Sequence, residues 1–337
     1  MPVRFDGVLR AFVTHNPEDL EAYFGRALPE LRLVADVVVN PLGRDLATVE
    51  LVEHSAGCQV VIAHRATPGE AALFDRNTDV VAFLRTAVDI STVDVEAASR
   101  NGVLVAHADK SFVPSTAEIA LALMLDLARN VSESTIDYRR GVQPPQRAGF
   151  QLRGKIAGLI GCGAIGTYLC GVLAALGVEV LVADPYTQVS GVGIRQVELP
   201  ELLAVSDFVL PLAASTPETE NLIDADALAR MKPGAMLVNV SRGELLDEQA
   251  VAAALDSGRL GGLAMDVGRA PDQRPSPDLA ARPGVVATPH LGGLTPENAD
   301  AQAMSSVEQV RAIVAHQLPP RAVNADHASR LRTWWET

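Results

Sequence analysis

The sequence predicts an α/β protein with two parallel-sheet domains, and three observations carry that prediction. The chain has 337 residues, which at roughly 150 residues per domain suggests two. Short apolar runs alternate with amphipathic stretches along most of its length, the pattern of strands crossing over through helices. A glycine-rich turn follows one central apolar run and opens a second such block. Hydrophobic residues make up 48% and charged residues 20%, with a mean hydropathy of +0.17. That balance excludes a disordered, collagen-like or coiled-coil chain.

In the first third, residues 8–14, 34–39, 60–63, 80–84 and 103–106 are apolar and β-branched and read as strands. Between them, residues 17–27, 44–54, 69–74 and 93–100 carry helical spacing. Asn16-Pro17 and Thr92 stand where helix starts are expected. A long helix is predicted over 114–130, opened by Pro114-Ser115-Thr116, and residues 139–150, with two glycines and two prolines, read as a loop. The second block has strands at 156–160, 178–183, 208–210, 235–240, 262–267 and 285–287, and a last helix at 297–316 closes the globular part. Trp334-Trp335 reads as a packing or interface anchor.

Composition narrows the function. The formal charge is −13, spread as −6 over residues 108–291 and −7 over the rest. Such a chain repels phosphate backbones and anionic lipid, so neither nucleic acid nor a membrane surface is expected as a partner. Cys58, Cys162 and Cys170 form no paired spacing. They indicate a reducing compartment rather than a disulfide framework or zinc site. The start, Met1-Pro2-Val3-Arg4-Phe5-Asp6, carries no apolar leader run, and a cytoplasmic location is expected. Residues 156–183 hold a single charge, Glu179, over 28 positions. Six glycines interrupt them, so strand–turn–helix–strand fits better than a membrane helix.

Gly161-Cys162-Gly163-Ala164-Ile165-Gly166 is a G-x-G-x-x-G between an apolar strand and a helical pattern, and Asp184 ends the next strand 18 residues after Gly166. This is the context of a dinucleotide-binding Rossmann unit. Gly161 permits the tight turn, Gly163 lets backbone amides approach a pyrophosphate at the helix N-terminus, and Gly166 allows close helix–strand packing. Asp184 is expected to accept bonds from the adenosine ribose. Its charge and the absence of Arg at 185–187 favour NAD over NADP.

Three later segments each follow a predicted strand: Val238-Asn239-Val240-Ser241-Arg242-Gly243-Glu244, Ala264-Met265-Asp266-Val267, and Ala287-Thr288-Pro289-His290-Leu291-Gly292-Gly293. They present an Arg, an Asp and a His at the sheet edge where open α/β sheets bind ligands. Arg242 offers a planar donor fork for a carboxylate and carbonyl. His290 titrates near neutrality and suits a general acid or base.

With these residues the chain resembles the D-isomer-specific 2-hydroxyacid dehydrogenases, the family of phosphoglycerate and formate dehydrogenases. Asp94-Val95-Glu96-Ala97-Ala98, Ser115-Thr116-Ala117-Glu118, Gly154-Lys155 and Met231-Lys232-Pro233-Gly234-Ala235 extend the likeness over nearly the whole chain. The resemblance implies an NAD-binding Rossmann domain at 108–291 inserted into a discontinuous, flavodoxin-like substrate domain of 1–107 and 292–337. It implies an active-site cleft between them and a homodimer formed through the cofactor domain. It also implies hydride transfer between NAD and a small D-2-hydroxy acid or 2-oxo acid. Arg242 and His290 would be catalytic. Gly161, Gly163, Ala164, Ile165, Gly166, Asp184, Thr216, Val240, Asp266, His290 and Gly293 would line the cofactor, with Asp266 on the nicotinamide amide.

The sequence departs from the family in three places. The Glu that pairs with the catalytic His falls at Pro271, with Asp272 one residue later and Gln273 beyond it. Asp272 is the candidate dyad partner, and loss of the pair would lower the His pKa. The glycine-rich carboxylate loop is replaced by Arg85-Thr86-Ala87-Val88-Asp89-Ile90. There the amides of Val88 and Asp89 are the candidate substrate contacts, and the Asp89 side chain would meet a hydroxyl or ammonium or turn away. Leu212 and Ala214 replace a His and a Pro on the adenine side. The breaks leave two alternatives: an NADH-binding sensor or corepressor-like scaffold with little turnover, or a formate- or phosphite-type dehydrogenase. His15, His54, His64, His107, His316 and His327 show no metal-ligand spacing and read as surface or satisfied core residues. No metal site is expected.

Overall fold

The computed structural model describes residues 8–270 and 272–336. The opening Met1–Asp6 segment and the dyad position Pro271 lie outside the described residues. The chain divides into two compact units, Met1–Ser111 with Pro296–Thr337, and Phe112–Thr295.

The first unit holds five parallel strands, β1 (Arg10–Val13), β2 (Asp36–Val39), β3 (Val60–Ala63), β4 (Ala82–Arg85) and β5 (Leu104–His107), in the order β2-β1-β3-β4-β5. The sheet is covered on both faces, so its central strands are buried and apolar without polar alternation. Successive side chains still point to opposite faces. Phe12, Val61, Phe83 and Val105 join one core with Leu51, Phe74 and Ala97. Val13, Ile62, Leu84 and Ala106 join the other, completed by Val307, Val310 and Ile313 of helix Pro296–Val314 and by Leu331. Trp335 anchors the last helix in this core, donating its indole N–H to the Ile313 carbonyl (2.9 Å) and stacking on His316.

Local chemistry alters several expected elements here. Asn16 caps as expected, its side chain accepting from the Asp19 amide. The stretch after it breaks into Pro17–Asp19, a wide turn over Leu20–Phe24, and Ala27–Arg32. Asp94, not Thr92, caps helix Val95–Arg100, accepting from the Ala97 amide. The Thr92 hydroxyl instead accepts from the buried Arg85 guanidinium.

The second unit holds seven parallel strands, β6 (Ile156–Ile160), β7 (Glu179–Ala183), β8 (Ile194–Gln196), β9 (Phe208–Pro211), β10 (Ala235–Asn239), β11 (Leu260–Met265) and β12 (Val285–Ala287). Their order is β12-β11-β10-β9-β6-β7-β8. The long apolar stretch resolves into β6, helix Ala164–Ala175 and β7, as expected. No described helix is long and apolar enough to cross a membrane. Helix Val113–Arg129 packs Ala120, Leu123, Met124 and Leu127 against this sheet and stops at Asn130, whose φ of 54° is left-handed. A further helix, Val131–Arg139, and the edge strand β8 were not expected from the sequence.

His15 departs from the reading of a surface or satisfied residue. It is 1% exposed, and its Nδ1 has no hydrogen-bond partner. Burial, reinforced by the neighbouring His64, lowers its pKa to about 3. The unfolded chain, with an ordinary imidazole near 6.5, takes up a proton that the folded chain refuses. Folding stability is therefore lost as pH falls from about 6.5 towards 3. Urea midpoints at pH 7 and pH 5 should differ by less in His15→Phe than in the native chain; an unchanged difference would exclude this source.

Candidate active site

The strand order of the second unit reverses between β6 and β9, which opens a crevice beyond their carboxyl ends. Gly161 leaves β6 with a φ of +91°, and a Cβ there would lie 2.8 Å from the Ala213 amide nitrogen just past β9. Only glycine meets both constraints. A Cβ on Gly166 would lie 3.1 Å from the Gly161 carbonyl oxygen, so the helix sits close on the turn. At Gly163 the same construction meets nothing within 4 Å. Gly163 is the N-cap of helix Ala164–Ala175, whose early amides, including those of Ala164, Ile165 and Gly166, have no partner within the helix. An anionic pyrophosphate fits this cradle in shape and charge.

Asp184 sits one residue past β7. One carboxylate oxygen accepts from the Cys162 amide (2.7 Å) and the other from the Tyr186 and Thr187 amides (2.8 and 2.9 Å). Burial raises its pKa, but these backbone donors outweigh burial and leave the carboxyl below its ordinary value. It is an anion that ties the fingerprint turn to the β7 end. Thr216 lies in the exposed turn beyond β9, its amide donating to the Thr219 hydroxyl (2.8 Å).

Three adjacent strands deliver the candidate reaction residues. The pairing aligns Asn239 of β10 with Met265 of β11, and Met265 with Ala287 of β12. The segments bearing Arg242, Asp266 and His290 therefore leave the sheet at one level. The Asn239 side chain shapes the first of them, donating to the Arg242 carbonyl (2.7 Å) and accepting from the Ser241 amide (3.1 Å). Val240 is buried between them. Arg242 is half-buried, with one guanidinium nitrogen donating to the Ser241 carbonyl (2.8 Å). Gly243 must be glycine, since a Cβ would lie 2.1 Å from the Gly268 carbonyl carbon.

Asp266 is 1% exposed. Its carboxylate accepts from the Thr288 hydroxyl (2.6 Å) and from the Leu291 and Gly292 amides (both 2.7 Å). Between those donors stands His290, in the left-handed region at φ 61°. Such a backbone costs a non-glycine residue about 1–3 kcal/mol and persists only where surrounding bonds impose it. Gly293 follows in the same turn, its carbonyl accepting from the Thr295 amide.

Asp272 is exposed, accepting from the Arg274 amide (3.1 Å) and pairing with its guanidinium (3.4 Å). Its loop is closed by the Gly268 amide on the Gln273 carbonyl (2.8 Å), with Gln273 at φ 59°. Val88 and Asp89 belong to the first unit, where an Asp89 carboxylate oxygen accepts from the Ser91 amide (2.8 Å). Sequence reasoning missed Asn239 and Thr288 as braces. Their signal was position, each being a side-chain hydrogen-bonding residue at or just past a strand end beside a candidate catalytic segment.

A family model described as "D-isomer specific 2-hydroxyacid dehydrogenase, NAD binding domain" matches residues 121–292. The D-3-phosphoglycerate dehydrogenase of Mycobacterium leprae is 36% identical over 79% of this chain and 51% of its own. The hydroxypyruvate reductase of Thermotoga maritima is 30% identical over 78% of this chain and 86% of its own. A solved Thermus thermophilus structure superposes with a TM-score of 0.82 at 31% identity, covering 94% of this chain and all of that one. The chain belongs to the D-isomer-specific 2-hydroxyacid dehydrogenase family, and its unit Phe112–Thr295 contains the NAD-binding domain. It spans about half the length of the phosphoglycerate dehydrogenases it matches.

The two fingerprint glycines should separate by experiment. Gly163→Ala leaves the melting temperature nearly unchanged but raises the NADH Kd about 10-fold in a fluorescence titration, because the methyl enters the cradle. Gly161→Ala lowers the melting temperature itself, because its methyl meets backbone.

Proposed function

We propose that this chain is an NAD-dependent oxidoreductase moving a hydride between the nicotinamide and the C2 of a small D-2-hydroxy acid or 2-oxo acid. The observation that carries this is the common exit level of β10, β11 and β12, which sets Arg242 and His290 on the sheet edge that bears the fingerprint. In the reducing direction, Arg242 would hold the substrate carboxylate and polarise the 2-oxo group, and its fixed charge would stabilise the developing alkoxide. His290 would give that oxygen its proton as the hydride arrives, and take it back in oxidation. The nicotinamide of the cofactor would donate the hydride in reduction and accept it in oxidation. The residues that would hold NAD are Gly161, Gly163, Ala164, Ile165, Gly166 and Asp184, with Thr216, Val240 and Gly293 along the same edge.

Asp272 is proposed as the acid that assists His290, through a rearrangement that frees it from Arg274. The unit containing Val88 and Asp89 is proposed as the substrate domain. A cytoplasmic homodimer is proposed as the working form. The three cysteines are free and buried, which suits a reducing compartment. Val131, Tyr138 and Val142 are 56%, 66% and 53% exposed on the cofactor unit, which suits association through that unit.

NADH consumption at 340 nm with glyoxylate, hydroxypyruvate and bulkier branched or aromatic 2-oxo acids tests the activity. His290→Asn should lower kcat by about 10²–10⁴-fold, and Arg242→Lys should lower kcat/KM while NADH binding persists. Tight NADH binding with no turnover on any of these acids would overturn the proposal in favour of a sensor. Asp272→Asn should move the alkaline limb of the kcat/KM profile for reduction to lower pH, because an unpaired His290 loses its proton earlier, and an identical profile would remove Asp272 from the dyad.

A further inference from the structure

The first unit carries a second cluster of chemically capable side chains. Its strand order reverses between β1 and β3, the place where sheets of this order bind ligands. Past the carboxyl end of β1 come His15, Asn16 and Asp19, and past that of β3 comes His64. Asp45 reaches the same spot from the loop after β2. One ligand atom from each of Asp19, Asp45 and His64 lies within 4.8 Å of the other two. His64 Nδ1 stands 3.6 Å from an Asp19 carboxylate oxygen, too far for a good hydrogen bond. That nitrogen is buried and has no hydrogen-bond partner. Behind it lies His15, 1% exposed, its ring centroid 4.8 Å from that of His64 and its own Nδ1 unpartnered.

We infer that Asp19, Asp45 and His64 form a binding site for one divalent transition-metal ion. The donor set is an imidazole and two carboxylates, which suits zinc, cobalt or manganese. Ligand bonds of roughly 2.1 Å in a tetrahedral site place ligand atoms about 3.4 Å apart. The His64–Asp19 separation of 3.6 Å is already close to that. Asn16 prepares the carboxylates, its amide nitrogen donating to Asp19 (2.8 Å) and Asp45 (3.1 Å) and fixing one oxygen of each. Its oxygen is committed to the Asp19 amide. The nearby Arg85 guanidinium is turned onto the His64 carbonyl and the Thr92 hydroxyl. The ligands come from three segments, so linear spacing conceals them.

Titration of the chelator-treated full chain with Co²⁺ followed by visible absorption, and with Zn²⁺ followed by calorimetry, tests the site. One equivalent should bind saturably and raise the melting temperature. His64→Ala and Asp45→Asn should each weaken Zn²⁺ binding at least 10-fold. Asp45 is exposed, so its variant folds even where the His64 variant does not. No saturable binding, or equal Zn²⁺ affinity in the native chain and Asp45→Asn, would overturn the site.

Discussion

The sheet edge that bears the candidate catalytic residues depends on one buried carboxylate. Asp266 leaves β11 and gathers three donors from the segment after β12. A buried charge is costly unless paired or hydrogen-bonded. Here charge-assisted bonds, each worth about 1.5–3 kcal/mol, compensate it. They also hold His290 in a backbone region that its own sterics disfavour. The family likeness implies that Asp266 holds the nicotinamide amide. The hydrogen bonds of its side chain to Thr288, Leu291 and Gly292 fix the backbone on both sides of His290, which is the basis for proposing that it aims His290.

Both sheets use the same physical device. Parallel strands end with unpaired polar backbone at their carboxyl edge, and the reversal of strand order opens a crevice there. In the second unit that edge carries the glycine cradle, Arg242 and His290. In the first it carries Thr14 and Arg85, which are hydrogen-bonded, and His15 and His64, whose buried Nδ1 atoms have no hydrogen-bond partner. The overall acidity of the chain makes these edges distinctive. The cradle's helix N-terminus and the Arg242 guanidinium supply local positive potential for anions, whereas Asp19 and Asp45 concentrate carboxylates beside the His15 and His64 imidazoles.

Most of the strands were legible because a strand buried on both faces reads as an uninterrupted apolar run. Val60–Ala63 and Ile156–Ile160 fall where the pattern places them. The edge strand Ile194–Gln196 was hidden by its half-exposed face and central Arg195. Helix Val131–Arg139 buries no side chain, so it carries no apolar stripe to recognise. The helix expected over 17–27 is interrupted by a wide turn before Gly25, where its hydrophobic spacing continues although its hydrogen bonding does not. The placement of Arg242, His290 and the fingerprint just past strand ends was legible because each follows an apolar run in sequence. The Asp266 brace and the His15–His64 pair were not, because both arise from contacts between residues of different strands. Such contacts depend on strand order, which periodicity alone does not reveal.

The most direct test of the Asp266 account compares Asp266→Asn with the native chain in two measurements, NADH Kd and kcat on the best 2-oxo acid. An amide keeps the shape but loses the charge and one acceptor oxygen. If Asp266 aims His290, kcat falls at least 10-fold, the kcat pH profile moves, and NADH Kd changes less than about 3-fold. A large loss of NADH affinity with kcat and its pH profile unchanged at saturating NADH would contradict it and return Asp266 to the nicotinamide.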